Sequence, residues 1–137
     1  MDTVLIIGRV LFALLFINSG ITHLTKLQAV AGYATYRKIP AAKLYVIVTG
    51  LMILTGGLYV ALGVYADLGS LLIAAFLIPT AFLMHAFWKE SDATTKAGES
   101  AHFFKDISLA GAALIIFALV GSGVDFGPSI TGPFFNF

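Results

Sequence analysis

The chain has 137 residues, of which 59% are hydrophobic and 11% charged, and its mean hydropathy is +0.97. A soluble domain carries about a quarter of its residues as charges, so this composition excludes a water-facing globule, and the net charge of +1 gives no sign of a nucleic-acid partner. The lack of cysteine further excludes disulfides, thiol redox centres, Cys-ligated zinc or iron–sulfur sites and c-type haem attachment.

A helix needs about 20 mostly apolar residues to cross the hydrocarbon of a bilayer. The first run of that length covers residues 4–24. It has neither a basic leader nor a small-residue cleavage site, so it is expected to be a retained span and not a signal peptide. Three polar residues interrupt it. Arg9 lies one turn inside the boundary, where it can snorkel or pair with Asp67 or Asp125, although an ionisable residue in a span is also a functional candidate. Asn18 and Thr22 share a face and are expected to hydrogen-bond to a neighbouring helix.

Between the first and second spans, Leu27, Val30, Ala31 and Ala34 recur at helical spacing. The pattern suits a short interfacial helix or an ordered loop. The second span covers 44–64, and its Gly50, Gly57 and Ala61 form one small-residue face on a helical wheel. A tight turn leads to the third span, 68–88, as an antiparallel neighbour. Pro79 in mid-span is expected to kink this helix and to free the carbonyl of Ala75, for which Thr80 or another helix would supply a donor. Residues 89–101 are polar and read as a solvated loop. The fourth span covers 103–122, and Ser70–Ala74 and Ser108–Ala112 are further small-residue pairs. The Gly- and Pro-rich tail should not be helical, and its Phe134, Phe135 and Phe137 suit the interface. The fold class is therefore all-α, an integral membrane antiparallel four-helix bundle forming a single domain over 1–137.

Lys and Arg set the orientation. Lys26, Arg37, Lys38 and Lys43 flank the first connection and Lys89, Lys96 and Lys105 the third, against Arg9 alone on the other side. The positive-inside rule then places both long loops in the cytoplasm and both termini outside. In that arrangement His23, His85 and His102 fall at one membrane surface, with Trp88 a turn beyond His85 and Lys105 and Asp106 beside His102. Titratable groups at one depth, flanked by aromatics, suit binding of a quinone head group or proton relay to it. The same residues also suit plain interfacial anchoring. Haem or metal is not expected, since the histidines form no close pair in the sequence.

The segments GRVLFALLFINSGITHL, TGLMILTGGLYVALG, FLIPTAFLMHAFW and HFFKDISLAGAALII, in this order, together resemble the DoxX family. The resemblance rests most on Gly8-Arg9, Ser19-Gly20, Pro79-Thr80, the run Met84 to Trp88, and Phe104-Lys105. It implies a four-helix membrane bundle and redox biology: some relatives are subunits of a thiosulfate:quinone oxidoreductase, and others are linked to defence against oxidants. Relatives commonly carry an amide where this chain has Asp106.

The leading expectation is an accessory subunit of the bacterial inner membrane that supports quinone-linked redox or oxidant-defence chemistry. His23, His85, Trp88, His102, Lys105 and Asp106 would form the quinone pocket, and a partner protein would bring the redox centre. A second reading is a non-enzymatic anchor that holds a cytoplasmic enzyme through Lys26, Arg37, Lys38 and Lys43. A third is a small-solute carrier built on Arg9, Asn18 and Pro79. The sequence leaves monomer and homodimer open.

Overall fold

The computed structural model describes all residues from Met1 to Phe137 and is entirely helical apart from its connections and tail. The helices are α1 (Asp2–Thr25), α2 (Leu27–Tyr36), α3 (Ala42–Leu62), α4 (Ala66–Met84) and α5 (Ala93–Gly121), with a 3₁₀ turn at Phe87–Lys89 between the last two. Of these, α1, α3, α5 and the stretch Ala66–Lys89 containing α4 are long and apolar enough to cross a membrane.

Local chemistry explains the boundaries. α1 and α2 are separated by Lys26 alone, which leaves helical geometry while its N–H still bonds Thr22 O at 2.8 Å. α2 closes through Lys38, which is left-handed at φ +61°, with Ile39 N–H bonding Ala34 O at 3.0 Å, and Pro40 cannot continue the helix. α3 ends at Gly63, whose φ of +66° closes the last turn. A side chain there would also meet Ser129 Oγ at 2.6 Å, so glycine is needed twice over. Pro79 lies inside α4, which runs on to Met84. Thr80 does not serve as the expected donor to Ala75, since its hydroxyl is buried and has no hydrogen-bond partner.

The polar stretch 89–101 is not the solvated loop expected. α5 starts at Ala93, where Asp92 accepts hydrogen bonds from Thr95 N–H and Thr95 Oγ, both at 2.8 Å. Its first turns are too polar to register as a span, and at 29 residues the helix is about 44 Å long, well beyond a hydrocarbon thickness of about 30 Å. The segment 27–36, which suited helix or loop, is helical, with Ala31 and Ala34 buried against Val46 and Met84.

α1 packs on α3, α3 on α4 and α4 on α5, while α2 crosses one end of the bundle against α3. The core between them contains Phe16, Ile53, Val60, Ile73, Leu77 and Ala113. α1 and α3 approach closely because Gly20 and Gly50 leave room: a Cβ on either would lie 2.7 Å from Leu54 Cβ or His23 Cβ. Ser108, by contrast, is exposed. Neither Asn18 nor Thr22 makes the expected hydrogen bond to another helix, and Asn18 is exposed on the outer face of α1.

The non-helical tail is tied across the opposite end. Ile130 and Thr131 N–H both donate to Gly63 O, and Phe134 and Phe135 N–H to the Asp67 carboxylate at 2.9 and 2.6 Å. Arg9 completes the fastening. It is 4% exposed and neither snorkels nor pairs with Asp67 or Asp125 as expected. Its guanidinium donates to the carbonyls of Val60 (3.0 Å), Ala61 (2.9 Å), Phe126 (3.2 Å) and Pro128 (2.8 Å). The first two belong to the last turn of α3, whose carbonyls lack partners within the helix. A cation there also suits the negative end of the helix dipole.

Candidate functional site

At the α2 end, three elements bring charged side chains inward. On α2 and just after it, Tyr33 and Arg37 are one turn apart and therefore neighbours. The Arg37 guanidinium lies over the rings of Tyr33 and Tyr36, 5.4 and 5.3 Å from their centroids. It pairs with Glu90 at 2.7 Å, from the connection after α4, and with Glu99 at 3.1 Å, from the first turns of α5. The Tyr33 hydroxyl donates to Glu99 Oε1 at 2.7 Å, with Met84 O as a second acceptor at 3.0 Å.

Glu99 joins this group to the histidines. Its Oε2 lies 2.7 Å from His85 Nδ1, and the other nitrogen of that ring is 3.6 Å from Asp106 Oδ2. An imidazole with a carboxylate on each side can take a proton at one nitrogen and release one from the other. Lys105 Nζ sits 3.4 Å from Asp106 Oδ1 and 3.4 Å from His102 Nδ1. Asp106 is buried at 6% side-chain exposure while Lys105 reaches water at 45%, so the chain of polar groups runs from the interior to the surface.

Tyr33 and Arg37 hold their ordinary protonation states firmly. Burial, with Glu99 adding to it, pushes the Tyr33 phenol up to about 12. Burial works against the Arg37 charge, but Tyr33, Glu99 and Glu90 outweigh it and push its pKa up. A phenol whose folded pKa exceeds its unfolded value of 10.0 favours the folded state fully below pH 10. That contribution is lost as pH rises through about 12. We expect tyrosinate absorbance to show one of the five tyrosines titrating late, and this late component to vanish in Tyr33→Phe. A titration in which the variant keeps that component would place the late phenol elsewhere.

Beneath the network is a cavity of about 210 Å³. Its apolar wall includes Phe16, Val46, Phe76 and Leu77, and its polar lining includes His23, Tyr33, Thr80, His85, Lys105 and Asp106. His23 Nδ1 donates to Ser19 O at 2.7 Å, which fixes the tautomer and leaves Nε2 as an acceptor. The Thr80 hydroxyl, in a residue 7% exposed, is the one buried side-chain polar atom without a partner. Such a group in a native fold calls for an explanation, and Thr80 stands in the cavity wall.

Of the residues expected to form one pocket, His23, His85, Lys105 and Asp106 line the cavity. His102 does not line it; it is exposed and stacks on the outer face of His85, with ring centroids 5.1 Å apart. Trp88 also stands apart, packed on Phe82, Phe87 and Phe103. α4 stops at Met84, so the 3₁₀ turn carries Trp88 away from the face that His85 occupies. Pro79 adds no side chain to the cavity, but Thr80 beside it does. Tyr33, Arg37, Glu90 and Glu99 were missed as cavity-end residues because, in the sequence, Tyr33 and Arg37 suit the membrane interface and a docking surface, and Glu90 and Glu99 a solvated loop. The available signal was one basic and two acidic residues and a tyrosine in stretches otherwise fit for short amphipathic helices.

The DoxX family model matches residues 4–86, more than half of the chain, from α1 through His85. No curated protein and no solved structure matches it.

Proposed function

This chain belongs to the DoxX family of membrane proteins, and we propose that its α2-end cavity receives the head group of a lipid-soluble quinone. On this reading it serves as an accessory subunit in oxidoreductive or oxidant-defence chemistry. The observation that carries the reading is a mostly apolar cavity that also presents His23, His85 and Thr80, whose hydroxyl has no partner within the chain. A quinone ring offers a flat apolar body with carbonyl oxygens at its edge, which complements an apolar wall bearing a hydroxyl donor. The volume of about 210 Å³ is below the roughly 300–1,000 Å³ of sites that enclose a whole drug-sized ligand. It suits a ring whose tail stays in lipid.

When bound, a quinone accepts two electrons and two protons to become the quinol. The chain's own residues handle binding and protons. Thr80 donates to a carbonyl oxygen, and His23 Nε2 accepts from a ring hydroxyl. His85 passes protons between the cavity and Glu99 or Asp106, and Lys105 and His102 connect Asp106 with water. The electrons come from a partner protein that carries a redox centre and docks on the exposed Lys26, Lys38 and Lys43. Arg37, expected to be part of that docking set, is instead held within the network at 6% side-chain exposure.

We further infer antiparallel spans with α4 kinked at Pro79, the α2 end in the cytoplasm and both termini outside, in a bacterial inner membrane. The short Gly63–Tyr65 connection and the excess of lysine at the α2 end support this.

The test is a binding titration with a short-chain ubiquinone analogue, using protein in lipid nanodiscs. Thr80→Val keeps the shape and removes the hydroxyl. It should weaken binding by roughly three- to ten-fold, since one hydrogen bond contributes about 0.5–1.5 kcal/mol. Thermal stability should be unchanged or raised, because the unliganded protein loses an unsatisfied buried group. Affinity equal to that of the wild type would remove Thr80 from the site.

A further inference from the structure

The outer face of α1 carries Val4, Ile7, Leu11, Leu14, Asn18, Ile21 and Thr25, all exposed. Their spacing alternates three and four residues through three heptads, the register of a helix that packs against another along a left-handed seam. Leu11 and Leu14 are 65% and 53% exposed, so nothing in this chain covers that seam.

Lipid alone could cover the leucines and isoleucines, but it cannot satisfy Asn18. At about 1.5 Å per residue, Asn18 lies about 7 Å from the midpoint of α1, inside a hydrocarbon half-thickness of about 15 Å. Its side-chain amide makes no hydrogen bond within the chain, and an amide left unpaired in hydrocarbon is unfavourable. A neighbouring helix that offers both a donor and an acceptor at the same depth resolves this. A second copy of the chain, inserted the same way up, does so by symmetry. A two-fold axis along the membrane normal places Asn18 opposite its own copy, and each amide can donate to the other. α5 is as little buried as α1, at 22%, but the polar group on its outward face is the Ser108 hydroxyl, which, unlike an amide, can be satisfied by a carbonyl of its own helix one turn back.

We propose that two copies associate in the membrane through this α1 seam, with the Asn18 side chains paired across the axis. The proposal is independent of the cavity at the α2 end, which faces the bundle interior.

The chain has no cysteine, so each introduced thiol reports on its own position alone. In native membranes treated with a membrane-permeant oxidant, Leu11→Cys, Leu14→Cys and Asn18→Cys should cross-link into dimers, while Leu15→Cys and Ile115→Cys should not. Disulfide formation requires Cα atoms within about 7 Å, so the pattern reads the seam directly. Asn18→Leu, which keeps the helix apolar and foldable, should raise the dimer dissociation constant in bilayers by about three- to thirty-fold. Single-molecule photobleaching in liposomes measures this. Cross-linking equally strong at Ile115, or single-step bleaching of the wild type at all protein-to-lipid ratios, would overturn the proposal.

Discussion

Arg9→Met is expected to release the tail and lower stability by about 3–5 kcal/mol. Arg9 donates to carbonyls from two separate places, Val60 and Ala61 at the end of α3 and Phe126 and Pro128 in the tail. Each hydrogen bond from a charged donor is worth about 1.5–3 kcal/mol, and the expected sum is smaller because freed tail carbonyls can regain water. The helix carbonyls are less able to do so, since Val60 is fully buried in the bundle core. Denaturation in mixed micelles measures the loss. Limited proteolysis adds an independent readout, since residues 123–137 become cleavable only when the tail detaches. Arg9→Lys should fall between the two, because one ammonium cannot reach acceptors on both sides as the guanidinium fork does. A loss below 1 kcal/mol with a protected tail would show that Asp67 and Gly63 hold the tail unaided.

Glu99→Gln should have the second large effect, about 2–4 kcal/mol, from the other end of the bundle. Glu99 accepts from Tyr33 and pairs with Arg37 and His85, at 14% side-chain exposure. Removing one member of a largely buried charge group leaves the rest uncompensated. Glutamine keeps one acceptor oxygen and replaces the other with an NH₂, which cannot accept from Arg37, from the Tyr33 hydroxyl or from a protonated His85 nitrogen. Because Glu99 helps to hold the Tyr33 phenol up near 12, the same variant should lower the pH at which that tyrosine titrates. An unchanged melting temperature together with an unchanged tyrosine titration would mean that water screens these charges as on an ordinary surface.

Most of the scaffold was legible because hydropathy is a strong signal over 20 residues. The apolar runs 4–24, 44–64, 68–88 and 103–122 each coincide with a helix over most of their length, the third overshooting α4, which ends at Met84. The boundaries were less accessible where capping decides them. Asp92 starts α5 ten residues before the apolar run, and nothing in the hydropathy marks that start. The site was legible in part: His23, His85, Lys105 and Asp106 share a cavity because they share a depth. Depth does not determine azimuth, and so Trp88 and His102 were grouped with residues whose face they do not share. Arg9 was expected to seek a carboxylate because a charge suggests a counter-charge. Here the stronger demand came from unpaired carbonyls at a helix end, which no sequence pattern reveals without knowing that the tail folds back.

Purification in mild detergent from its own membranes, followed by mass spectrometry of the small molecules retained, most directly tests the cavity as a quinone site. Near-stoichiometric quinone on the wild type, with much less on Thr80→Val and His85→Ala folded to the same extent, is the predicted result. Wild-type protein that repeatedly carries phospholipid and no quinone, and binds none when it is added back, would contradict it.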